Sequence, residues 1–117
     1  MQHAFNLNGP LVVGDDIDGR HNWGFTGTEN FVVFRRENAG AGGTTTLELR
    51  RGGVAIASAT FTPAEGANVQ KTVALAGAFI ATTQYSFHVT TVETASGIGV
   101  NQLPADASAA LDVTRTA

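Results

Sequence analysis

Thr44-Thr45-Thr46-Leu47-Glu48-Leu49-Arg50-Arg51-Gly52-Gly53-Val54-Ala55-Ile56-Ala57-Ser58-Ala59-Thr60-Phe61 is the stretch on which the fold class turns. In its first half Thr45, Leu47 and Leu49 share one parity while Glu48 and Arg50 take the other, the period of two expected of a half-buried strand. Gly52-Gly53 follows, and two glycines supply the positive φ that a two-residue hairpin turn requires. The residues from Val54 to Phe61 then return as the partner strand, with the small Ala55, Ala57 and Ala59 predicting close approach of a second layer.

Similar punctuation bounds the other apolar runs. Residues 30–35 are apolar on both parities, as in a strand covered on both faces, and residues 39–43 after them are glycine-rich and read as a loop. Residues 69–75 and 84–91 alternate, the latter with Tyr85, Phe87 and Val89 inward and His88 outward towards solvent or an interface. Residues 95–107 read as a long loop, and residues 109–114 as a closing strand with Leu111 and Val113 inward. At the front, residues 4–7, 11–13 and 21–25 are shorter candidates. Eight or nine short strands without an amphipathic helix predict an all-β, antiparallel β-sandwich, a jelly roll, formed by residues 1–117 as a single domain.

Composition bounds the function. The 117 residues carry 7 Lys+Arg and 10 Asp+Glu, a formal charge of −3, so the basic footprint of a nucleic-acid partner is missing. Zero cysteine removes disulfides and thiol chemistry. No apolar run approaches the roughly 20 residues a membrane span needs, and the N-terminus lacks signal-peptide regions, so a soluble chain made in the cytoplasm is expected. Charged residues are only 15%, which leaves Thr, Ser, Ala, Asn and Gln to form the surface.

Chemistry-bearing patterns are sparse. Gly14-Asp15-Asp16-Ile17-Asp18-Gly19 invites a calcium reading, but aligning Gly19 to the loop glycine puts Gly14 and Phe25 where anchoring carboxylates belong. An Asx-type turn is the expectation, with no metal and no cofactor. Ser86, His88 and Asp112 could be assembled into a nucleophilic triad on paper. No nucleophile elbow accompanies them, and no enzyme is expected. The glycines of residues 40–43 lack the Lys-Ser/Thr end of a phosphate loop and run into a strand. Trp23 could serve a sugar-stacking platform or fill the end of the sandwich, and the pairs Arg35-Arg36 and Arg50-Arg51 read as edge protection or an ion-pairing rim.

Three segments together resemble a known group: residues 5–16, the hairpin from Gly43 to Gly53, and residues 57–63 with their Thr62-Pro63 step. They are similar to small β-sandwich virion proteins of tailed bacteriophages, the capsid decoration or cement proteins and related fibre and collar domains. The resemblance implies a structural role on the capsid surface, with the major capsid protein and further copies of the chain, as a trimer, for partners. A receptor- or carbohydrate-binding module of a tail fibre or extracellular protein is the alternative. Phe5, Leu7, Trp23, Arg35 and Arg36 are the expected partner contacts, and residues 1–8 either add as an arm to a neighbouring sheet or form the domain's own first strand.

Overall fold

A computed structural model describes residues 1–95 and 103–116. Among these residues nine strands form: β1 (Gln2–Pro10), β2 (Gly14–His21), β3 (Gly27–Asn38), β4 (Thr45–Arg51), β5 (Val54–Phe61), β6 (Val69–Ala74), β7 (Ala78–Phe79), β8 (Tyr85–Thr91) and β9 (Ala105–Arg115). One sheet has the order β1-β9-β3-β6, with β7 beside β3, and the other has the order β2-β8-β4-β5. All pairs are antiparallel. The pairs β4–β5, β3–β6, β2–β8 and β1–β9 are nested, as in one long hairpin wrapped so that β9 also meets β3 and β8 also meets β4. The chain is an all-β sandwich.

The glycine hairpin forms as its sequence requires. Gly52 and Gly53 both have positive φ, 59° and 82°, which β-carbons would strain. Leu47, Leu49, Ala57, Ala59 and Phe61 turn inward from it to meet Phe5, Val32, Phe34, Ala109 and Leu111 of the facing sheet, with Tyr85, Phe87 and Val89 beside them. A bulge between Leu49 and Arg50 then shifts the register, so Ala55 lies outside where strict alternation would have buried it.

Strand β3 departs further from its reading. It sits between β9 and β6 and runs twelve residues, from Gly27 to Asn38. A second bulge between Glu29 and Phe31 switches parity, so its inward face reads Glu29, then Val32, Phe34 and Arg36. Phe31 and Val33 are only half-buried, so the outer face is not covered by a layer. Arg36, expected at a rim, is instead fully buried against Glu93, at 2.8 Å. Glu93 also accepts from the Gly40 amide and the Thr45 hydroxyl. Gly40 must be glycine, because a β-carbon there would lie 2.6 Å from both the Thr94 carbonyl oxygen and Glu93 Cβ. At the other end of β3, Glu29 accepts from Tyr85 Oη at 2.5 Å and from Arg51 at 2.7 Å.

At the front of the chain residues 2–8 lie within β1, which pairs with β9 of the same domain from Gln2 opposite Asp112 to Leu7 opposite Ala107, and Phe5 is fully buried. The stretch after β1 differs from expectation. Residues 11–13 link β1 to β2 and form no strand, while residues 14–19, read as a turn, belong to β2. That strand is bulged twice, with Asp16 and Asp18 at positive φ, a local conformation that aspartate tolerates better than most residues. Strand β9 begins at Ala105, earlier than predicted, and residues 96–102 of the expected long loop lie outside the described residues.

Burying a charge is costly unless it is paired, so removing one partner of a buried pair leaves the other exposed to that cost. Arg36→Met is therefore expected to lower unfolding stability by about 3–5 kcal/mol in urea titrations. Arg35→Met, whose side chain is 40% exposed and faces Glu37 at 3.8 Å, should change it by less than about 1 kcal/mol. Equal losses at the two positions would contradict the assignment.

Candidate functional site

Inward packing of Tyr85, Phe87 and Val89 turns Ser86 and His88 onto the opposite face of β8. Both belong to a concavity of about 630 Å³ on the outer face of the second sheet. His88 is buried there, not solvated: only 3% of it is exposed, because β2 lays two carboxylates against it. His88 Nδ1 lies 3.0 Å from Asp15 Oδ1, and His88 Nε2 lies 2.7 Å from Ser86 Oγ. Asp16 stands 3.7 Å from the same ring.

Register places two arginines beside the serine. Ser86 pairs with Arg20 on β2 and with Arg50 on β4, and directly opposed residues present their side chains on one face. Arg20 is tethered by Asp16 at 3.0 Å and by Gln84 at 3.4 Å, while Arg50 is tethered through Nε by Glu48. The hydrogen bond from Arg20 holds the Asp16 carboxyl below the usual carboxylate range. Two cations, a hydroxyl and an imidazole thus converge on one floor.

The three carboxylates of the acidic cluster do not meet at one point: Asp15 and Asp16 flank the His88 ring, Asp16 also accepting from Arg20, while Asp18 accepts from the Asn6 amide of β1. Asp112, the carboxylate considered for a triad, lies in the other sheet, where it accepts from Asn30. Asp15 occupies the place beside His88, and its position on a twice-bulged strand could not be read from spacing.

A second cluster forms at one end of the sandwich. The His3 and His21 rings stack at 3.7 Å with an interplanar angle of 6°, and Trp23 sets its edge against His21 at 4.7 Å. Phe25 and Phe79 complete the group. Trp23 is half-buried in it and packs against the core. Of the other expected contacts, Leu7 and Arg35 share a shallow hollow of about 150 Å³, whereas Phe5 and Arg36 lie inside the sandwich. No protein-family model matches the chain, and no curated protein matches its sequence.

Burial lowers the proton affinity of His3, partly offset by Asp18, and burial together with His3 lowers that of His21. Both side chains titrate below their unfolded value of 6.5, so the folded state binds fewer protons than the unfolded one. Their contribution is present above about pH 6.5 and is lost as the pH falls below it. The melting temperature should therefore drop between pH 7 and pH 5, with a smaller drop in the His3→Gln/His21→Gln variant. An identical pH profile for the variant would contradict this reading.

Proposed function

We propose that the chain is a capsid decoration protein of a tailed bacteriophage, a structural module that binds the assembled shell and stabilises it. The observation that carries this reading is the nested strand order β1-β9-β3-β6 and β2-β8-β4-β5. That order supports a jelly roll, an architecture that recurs in viral capsid domains. The sequence resemblance to small virion β-sandwich proteins points the same way. Exposed positions along β1, β5 and β6 are Gln2, Ala4, Asn6, Asn8, Pro10, Val54, Ala55, Ser58, Thr60, Gln70, Thr72 and Ala74, uncharged side chains that suit close contact with a neighbour. A protein seated across two shell subunits stabilises the shell because separating the subunits must also break its own contacts. The major capsid protein and further copies of the chain, as a trimer, are the partners in this reading.

A receptor- or carbohydrate-binding module is the second reading. The polar concavity around Arg20, Arg50 and Gln84 favours it, since hydroxylated ligands are recognised by a few converging polar groups. Jelly rolls also occur among lectins.

Co-sedimentation with purified phage heads separates the two. The chain should pellet with heads in a saturable manner and raise the temperature at which they release their contents. Failure to pellet, together with retention on a glycan array that Arg50→Ala abolishes, would overturn the shell assignment.

A further inference from the structure

The outer face of β8 carries an arrangement that a structural module does not need. We propose that Ser86, His88 and Asp15 form a nucleophile, base and orienting carboxylate that cleave short O-acyl esters, with Arg20 and Arg50 holding the developing oxyanion.

Hydrogen-bond chemistry assigns the roles. A carboxylate only accepts, and Asp15 Oδ1 lies at hydrogen-bond distance from Nδ1, 3.0 Å, whereas Asp16 stands 3.7 Å from Nε2, so the proton of neutral His88 sits on Nδ1. Nε2 then offers its lone pair to the Ser86 hydroxyl at 2.7 Å, the contact a general base makes with its nucleophile. Ser86 and His88 are 6% and 3% exposed, yet both border the concavity, so the pair is shielded from bulk water and open to a ligand. Their separation is set by two positions of one strand that is paired on both sides, by β2 and by β4. Such a mount fixes geometry better than a loop does.

The arginines supply the remaining part. Arg20 and Arg50 flank Ser86 from the two neighbouring strands. Glu48 engages Arg50 through Nε, and the Arg50 Nη donors have no hydrogen-bond partner among the described residues. Donors directed at the place where negative charge develops are the main source of rate enhancement in acyl transfer.

The reaction balances without a co-reactant other than water. Ser86 Oγ bonds to the acyl carbon as its proton passes to His88 Nε2, and the carbonyl π pair becomes an oxyanion between the arginines. Collapse breaks the ester C–O bond, and the alcohol leaves with the proton from Nε2. Water then attacks the acyl-serine, its proton passing through Nε2 to Ser86 Oγ as the acid departs. The cleft is walled by Thr82, Thr83, Gln84, Gly52 and Gly53 and offers no apolar wall for a long acyl chain. This selects a short acyl group on a hydroxylated alcohol.

The test uses the free 117-residue chain, so its outcome does not depend on shell binding. Incubation with a fluorophosphonate probe, followed by intact-mass measurement and peptide mapping, should give one adduct, on Ser86. Ser86→Ala, which removes only a hydroxyl, should abolish it with an unchanged circular-dichroism spectrum. His88→Gln should slow labelling by about 100-fold or more, the range of a lost general base. Asp15→Asn, which alters a positioning residue exposed at the rim, should slow it while leaving the melting temperature within a few degrees. No adduct on the wild-type chain, or an adduct that persists in Ser86→Ala, would overturn the proposal and leave the three residues as a tie between β2 and β8.

Discussion

Two buried carboxylates, one at each end of β3, hold the sandwich closed. At one end Glu29 of β3 binds Arg51 of β4 and Tyr85 of β8, and at the other Arg36 of β3 binds Glu93, which also takes the Thr45 hydroxyl of β4. Each cluster joins the first sheet to the second. Between them the core is apolar, built from Phe5, Phe34, Leu47, Leu49, Phe87 and Leu111, and apolar contacts carry no directional information. The polar ends do, since a buried charge tolerates few arrangements of its partners. Burial pushes the Tyr85 hydroxyl up from its ordinary range, and its hydrogen bond to Glu29 adds to that, so Tyr85 remains a donor at any physiological pH.

This constraint extends to the outer face. Strand β8 begins at Tyr85, held by Glu29, and the chain reaches Glu93 two residues after the strand ends at Thr91. Ser86 and His88 lie between these anchors, which fix the depth and tilt of the strand that carries them. Strand β2 is less regular, but Asp15 on His88, Arg20 on Gln84 and Asp18 on the Asn6 amide hold it at three points. A site formed on paired strands inherits the rigidity of the core beneath it.

Much of the architecture was legible because it rests on alternation and glycine. The Gly52-Gly53 hairpin, the inward faces of β4 and β8 and the all-β class follow from a period of two and a turn with one chemical solution. What could not be read depends on bulges. One extra residue in β3, between Glu29 and Phe31, sends Arg36 inward, one in β5, Ile56 opposite the Leu49–Arg50 step, sends Ala55 outward, and two irregularities in β2 make a strand of a stretch that looked like a turn. The site was half legible: Ser86 and His88 have the parity opposite to Tyr85, Phe87 and Val89, which puts both on the outer face, but Asp112 is in the other sheet, and Asp15 reaches His88 only through the bulged path of β2. Arg20 and Arg50 flank Ser86 through strand register, which local sequence does not encode.

The claim that the buried carboxylate clusters close the sandwich is tested most directly by native-state hydrogen exchange at Gly40. This amide lies in the loop between β3 and β4, where exchange is ordinarily fast, but it donates to Glu93 Oε2 at 3.1 Å within the buried cluster. If the cluster opens only when the sandwich unfolds, the Gly40 amide exchanges as slowly as those of Val32 and Phe34 at the centre of β3. Exchange as fast as that of exposed Gly43 in the same loop would show that the cluster opens independently and that the apolar core alone holds the sheets together.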